Sequence, residues 1–163
     1  MDYQLIVPFI PNLRRYARAL IGDREGADDL VQDTLERAVR KFHLWRPGDL
    51  RAWLFSIMHN VFVNQLKARK IAYEVEIDDN FAAPIPTATP MDLMDLDRAL
   101  GLISPEQREV VLLVALEDMT YAEVARALGV PIGTVMSRLS RGRERLRRLM
   151  DGEPPQGGLR IVQ

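Results

Sequence analysis

The stretch Thr120–Arg148, TYAEVARALGVPIGTVMSRLSRGRERLRR, decides how this chain folds. Thr120 and Glu123 form a T-x-x-E start, in which hydroxyl and carboxylate satisfy free backbone N–H groups reciprocally. Val124, Ala125, Ala127 and Leu128 give a short helix its apolar stripe, and Gly129 supplies a left-handed stop. Pro131 suits the first turn of a second helix, where no N–H donor is needed. Val135, Leu139, Leu146 and Leu149 form one buried stripe of that helix, while Arg138, Arg141, Arg145 and Arg148 run along another face. Two helices joined by a tight turn, the second studded with arginine, predict a helix-turn-helix fit for a phosphate-lined major groove. Residues 131–150 hold six arginines, one glutamate and no lysine. A solvated, salt-laced helix normally carries more compensating acid, and arginine suits bidentate phosphate or guanine contacts. Nucleic-acid binding is the expectation.

Upstream, Ser104-Pro105-Glu106-Gln107 supplies a cap, a proline at the first helical position and an S-x-x-Q box. The helix that follows carries Val110, Val111, Leu113 and Val114. Leu93, Leu96, Ala99 and Leu100 predict another amphipathic helix before it, so 92–150 reads as a four-helix domain. Residues 73–91 show no sustained period and contain Pro84, Pro86 and Pro90, which predicts a flexible linker. The tail 151–163, with Pro154-Pro155 and Gly157-Gly158, reads as disordered.

Residues 1–72 read as a second small helical domain. Helices are expected over Asn12–Leu20, about Glu25–Phe42 and roughly Leu50–Ala68, with a turn at Gly22-Asp23 and a break at Trp45-Arg46-Pro47-Gly48. The middle helix buries Ala27, Leu30, Val31, Leu35, Ala38 and Phe42, and turns Asp29, Gln32, Asp33 and Glu36 outward. That acidic face reads either as a partner surface or as plain solvated helix. In the third helix Trp53, Leu54, Ile57 and Val61 are the buried positions. Asn60, Asn64 and Lys67 share one face, near Trp53, Phe55, Phe62, Arg69 and Lys70. Aromatics beside amides and bases suit the stacking and reading of unpaired bases, although core and surface roles explain them as well. No strand with period-two alternation occurs, so the fold class is all-α.

Bulk properties narrow the function. The 163 residues carry 22 basic and 23 acidic side chains, a formal charge of −1, so any basic character is local. The absence of cysteine excludes a disulfide framework, a zinc ribbon and a thiol nucleophile, and His43 and His59 alone cannot make an ordinary structural zinc site. No metal and no cofactor is expected. No apolar run is long enough to span a membrane and no signal-peptide pattern is present, which predicts an intracellular, cytoplasmic protein without membrane insertion. No nucleophile–base pair or phosphate loop suggests an enzyme.

Together the blocks resemble the extracytoplasmic-function sigma factors, small initiation subunits of bacterial RNA polymerase. The resemblance covers about residues 8–150. DDLVQDTLERA is similar to the core-polymerase-binding helix, RAWLFSIMHNVFVNQLKARK to the promoter-melting segment that reads the minus-ten element. The stretch from Ser104 to Arg147 is similar to the domain that binds the minus-thirty-five element. The resemblance implies that Asp28, Asp29, Leu30, Gln32, Asp33 and Thr34 meet the clamp helices of core RNA polymerase. It places Trp53, Asn60, Asn64, Lys67 and Arg69 at the melted minus-ten strand, with Asn60 and Asn64 receiving a flipped base. Thr134, Ser137, Arg138 and Arg141 would enter the minus-thirty-five major groove, with Arg143 and Arg145 on the flanking backbone. Met136 stands where many relatives carry a basic residue, and Asn64 where many carry aspartate, which bears on promoter sequence. An anti-sigma partner that clamps both domains is implied as a regulator. The alternatives are a stand-alone helix-turn-helix regulator, which predicts a dimer on palindromic sites, and a sigma mimic that binds protein without opening promoters.

Overall fold

The computed structural model describes residues 3–76 and 95–152, and side chains outside 73–76. The expected linker from residue 77 onward, Leu93 and the tail beyond residue 152 lie outside the described residues. Two short 3-10 turns lead into α1 (Ile10–Ile21), followed by α2 (Arg24–Lys41) and α3 (Leu50–Glu76). The second block holds α4 (Leu96–Leu102), α5 (Pro105–Ala115), α6 (Tyr121–Leu128) and α7 (Ile132–Met150). All regular elements among the described residues are helical.

Local chemistry sets most of these ends. Gly22 closes α1 at φ +86°, a conformation that costs glycine little. Asp23 then starts α2 by accepting the Gly26 N–H at 2.6 Å, and Asp49 accepts the Ala52 N–H at the head of α3. Asp95 and Ser104 cap α4 and α5 in the same way. The capping box expected at Thr120 and Glu123 is present in full, and Gly129 ends α6 at φ +66°. Pro131 sits one position earlier than expected, as the N-cap residue of α7. Asp118, in the turn before α6, takes φ +52°, a left-handed conformation that aspartate tolerates better than most side chains.

In block one, Leu13, Tyr16, Ala17 and Leu20 of α1 meet Ala27, Leu30, Val31 and Ala38 of α2 and Leu54, Phe55, Met58 and Phe62 of α3 in one core. The Tyr16 ring stands edge-on to Phe55 with centroids 5.1 Å apart. In block two, α7 lies across α4, α5 and α6, burying Val135, Leu139, Leu146 and Leu149 as the pattern predicted. Gly142 lets α7 approach α5 closely: a Cβ there would meet Val111 Cγ2 at 2.9 Å. Helix α3 runs past the expected boundary at 72 to Glu76, making it 27 residues long.

The two blocks are docked. Helix α3 packs on α6, and α1 packs on α4 and α5. The seam is stitched by charged side chains. Arg15 donates to the Glu117 carboxylate at 3.2 Å and to the Leu116 carbonyl, and Arg51 donates to the Glu117 carbonyl and to the Glu123 carboxylate at 2.7 Å. The His59 ring pairs with Glu109 at 2.5 Å, and Arg108 donates to the Leu20 carbonyl at 2.9 Å. Glu109 and Glu117 are each only 3% exposed, so both acids depend on these partners.

Candidate nucleic-acid interface

Helix α7 presents the arginine face that its sequence advertises. The capping box fixes the start of α6, Gly129 and Pro131 set the turn, and the Val135–Leu149 stripe holds α7 by its opposite side. Ser137, Arg141 and Arg143 are exposed, whereas Thr134, Arg138 and Arg145 are half-buried along the same helix. Among the described residues no carboxylate forms an ion pair with Arg138, Arg141, Arg143 or Arg145, although the charge of Arg138 is felt at buried Glu109, while Glu144 binds Arg147 at 2.7 Å and Arg148 at 3.1 Å. Those two arginines hold the Glu144 carboxyl below the usual range, and the acid is consumed at the far end of the helix. The unpaired cations therefore stay available for an anion.

Arg145 adds a detail that spacing could not show. Its Nη2 is buried and has no hydrogen-bond partner among the described residues. It lies beside a groove of about 490 Å³ lined also by Ser104, Gln107, Arg141 and Arg148. Glu144 also lines the groove, held by Arg147 and Arg148, and an orphaned guanidinium donor beside Arg141 is chemically suited to a phosphate oxygen. Met136 and Ile132 are about half exposed on the same helix, and Tyr121 stands 37% exposed at the head of α6. The apolar tips of Met136 and Ile132 suit the methyl group of thymine.

The second candidate surface lies on α3. Asn60, Asn64, Lys67 and Arg69 are all exposed. Docking uses a different face of the helix, where Arg51 bonds to Glu123 of α6 and His59 to Glu109 of α5. Trp53 is half-buried, edge-on to Phe42 at 6.3 Å, with Phe42 in turn 5.5 Å from Trp45. Its ring anchors the start of α3 and leaves only part of its surface for a ligand.

On α2, Asp28, Asp29, Gln32 and Asp33 point outward, and Gln65 of α3 donates to Asp33 at 3.2 Å. Leu30 and Thr34 do not belong to this face. Both are fully buried, and the Thr34 hydroxyl donates to the Leu30 carbonyl one turn back at 2.7 Å. Leu30 falls on the apolar stripe, and Thr34 follows it at i+4, so the 3.6-residue period turns both inward. Their expected contact with a partner is corrected on that ground. Exposed Val39 and Leu44 extend the outer surface instead.

The seam residues were not legible in advance. Tyr16, Arg15, Arg51, His59, Arg108, Glu109 and Glu117 come together only through tertiary packing. Burial pushes the Tyr16 hydroxyl well above its ordinary value, with Glu109 and Glu117 adding to it. Burial likewise raises the Glu109 carboxyl, and its bond to His59 pulls part of that shift back. The Glu123 carboxyl goes the other way, down to about 2, chiefly through its bond to Arg51.

Comparison with known proteins identifies the family. Residues 6–59 match the family described as the Sigma2 domain of PhyR, and residues 93–146 match Sigma-70, region 4. The chain is 34% identical over 151 residues to the ECF RNA polymerase sigma factor EcfG of Rhodopseudomonas palustris, covering 89% of this chain and 82% of that one. Among solved structures it resembles the sigma factor RpoE of Bartonella quintana, determined in complex with the anti-sigma factor NepR. That pair shares 35% identity at a TM-score of 0.74, over 93% and 97% of the two chains. CnrH, determined in complex with the cytosolic domain of CnrY, follows at 27% identity and a TM-score of 0.67, over 93% and 88%.

Proposed function

The chain belongs to the extracytoplasmic-function sigma factors of RNA polymerase, and from that premise we propose how its residues divide the work of starting transcription. Residues 92–150 anchor duplex DNA at the minus-thirty-five element. Ser137, Arg138 and Arg141 enter the major groove with Thr134 at its edge, Arg143 and Arg145 hold the flanking phosphates, and Met136 replaces a charged contact with an apolar one. The observation that carries this reading is that Arg138, Arg141, Arg143 and Arg145 of α7 form no ion pair among the described residues, above a fully formed helix-turn-helix. The orphaned Arg145 donor gains its partner from a phosphate in the same step.

Residues 1–72 bind core polymerase through Asp28, Asp29, Gln32 and Asp33 and capture the melted minus-ten strand through α3. Asn60 and Asn64 receive the extruded base, the open edge of Trp53 stacks, and Lys67 and Arg69 meet phosphates. Flipping a base costs a few kcal/mol, which the captured contacts offset. The chain does no chemistry of its own. Polymerase holds the two blocks at a set separation, so two weak DNA contacts act together through effective concentration. Work on promoter DNA places the protein in the cytoplasm, and no helix among the described residues is long and apolar enough to cross a membrane.

The docked arrangement of the blocks is a free or inhibited form that must come apart on polymerase. An anti-sigma factor that favours docking is the regulator this predicts, in keeping with the anti-sigma complexes in which RpoE and CnrH were solved. Purified chain with core RNA polymerase on a pool of genomic promoter fragments tests the proposal. Discrete run-off transcripts absent with core alone support it. Core binding without transcripts from any fragment points to a sigma mimic, and duplex binding without core binding to a stand-alone regulator.

A further inference from the structure

A groove of about 1030 Å³ runs along the seam, away from both candidate DNA faces. One wall belongs to block one, with Arg14, Arg15 and Arg18 of α1 and Arg24 at the head of α2; Arg98 of α4, in block two, stands in the other. Arg15 is committed to Glu117, but Arg14, Arg18, Arg24 and Arg98 make no ion pair among the described residues. The two acids in the lining offset only part of that charge. Asp23 is occupied as the cap of α2, and Asp97 sits in the first turn of α4. Four exposed guanidinium groups thus share one concave surface with two carboxylates, which leaves it with an excess of positive charge.

We infer that this groove binds a small anion carrying several linked phosphates, clasped between the two blocks. Guanidinium forks match phosphate oxygens in pairs, and several such forks around one concavity favour a compact, highly charged ligand. The apolar lining is confined to Pro11, Ala19 and Leu116, with Gly22 adding no side chain, too little to seat the anchors of an acidic helix. No aromatic ring lines it, so it lacks the stacking platform of a nucleic-acid strand. Because each block supplies cations to the lining, the bound anion favours the docked arrangement over the separated one. The inference stands apart from the promoter reading, since free chain alone binds the ligand.

The test is calorimetric titration of the full-length chain with inorganic tripolyphosphate at low salt, beside the single variants Arg18→Ala, Arg98→Ala and Arg143→Ala. The expected result is saturable binding of one anion per chain. Loss of either seam arginine, from opposite blocks, weakens it about tenfold or more, and Arg143→Ala leaves it within about twofold. Absence of saturable binding overturns the inference. So does an equal loss in Arg143→Ala, which would put the anion on α7, or indifference to Arg98→Ala, which would remove the clasp. A parallel titration with ATP identifies the source: equal affinity marks the phosphate chain alone as the ligand, and tighter binding marks a nucleotide. A glutamate-rich peptide that binds more tightly than either overturns the ligand class.

Discussion

Helices α3 and α7 carry the two candidate DNA faces, yet they are embedded differently. Helix α7 packs chiefly within its own block, against α4, α5 and α6. It has one dry side and one wet side, and its sequence alternates between them with a clear helical period. Helix α3 packs on α2 within its block and on α6 across the seam. Two separate sides are buried, and the exposed strip of Asn60 and Asn64 is what remains. The difference teaches that periodicity reports how many neighbours a helix has: one neighbouring layer leaves a clean stripe, two blur it.

The largest effect should come from the seam side of α3. His59→Ala leaves Glu109 buried without its partner, and about 3 kcal/mol of stability should be lost, read as a shift in urea midpoint. The loss should shrink as pH falls. Removing His59 lifts the folded-state pKa of an already raised carboxyl, and the penalty for the buried charge disappears once that carboxyl is protonated. A loss under about 1 kcal/mol, or one indifferent to pH, would mean that docking does not depend on this pair. The same variant should leave affinity of the chain for minus-thirty-five duplex unchanged, since α7 is held within its own block.

Next in size is the exposed side of α7. Arg138→Ala should weaken duplex binding about ten- to a hundredfold and reduce the salt dependence, measured by fluorescence anisotropy at several salt concentrations. Asn60→Ala should slow promoter opening roughly tenfold, followed with a base-analogue probe in the minus-ten strand, while duplex affinity holds. Both variants losing the same step would erase the division of labour between the helices. Gly142→Ala probes how tightly α7 is seated. A methyl group 2.9 Å from Val111 must push α5 and α7 apart, and about 1 kcal/mol should be lost after the gain in helix propensity. The smallest effect concerns Glu123, whose carboxyl is held at about 2 rather than 4.5. A depressed acid contributes stability that is complete above about pH 4.5 and fades as pH falls toward 2. Arg51→Ala should remove about 1 kcal/mol at neutral pH and flatten the acid side of the stability profile, seen in thermal melts.

The same contrast explains what was legible in the sequence. The capping box at Thr120, the stop at Gly129, the stripe of α7 and its arginine row follow from i to i+4 relations and short-range caps, which one sequence displays. On α2 the stripe was legible, but a motif quoted as a continuous run swept Leu30 and Thr34 into a surface that the helical period denies them. The seam escaped altogether. Arg15 and Glu117 are 102 residues apart in sequence, and His59 and Glu109 are 50 apart. Isolated charges at such distances look like ordinary surface until packing buries them.

The buried residues of both blocks form one contiguous apolar cluster, joined across the seam. Separation would wet part of that cluster as well as the ion pairs beside it. An opened chain adrift in the cell would expose oily surface that invites aggregation and proteolysis. Polymerase would then act as a host as well as an employer, sheltering the opened chain. The working lifetime of the factor would depend on how quickly it finds that shelter, which makes its turnover a function of free polymerase supply.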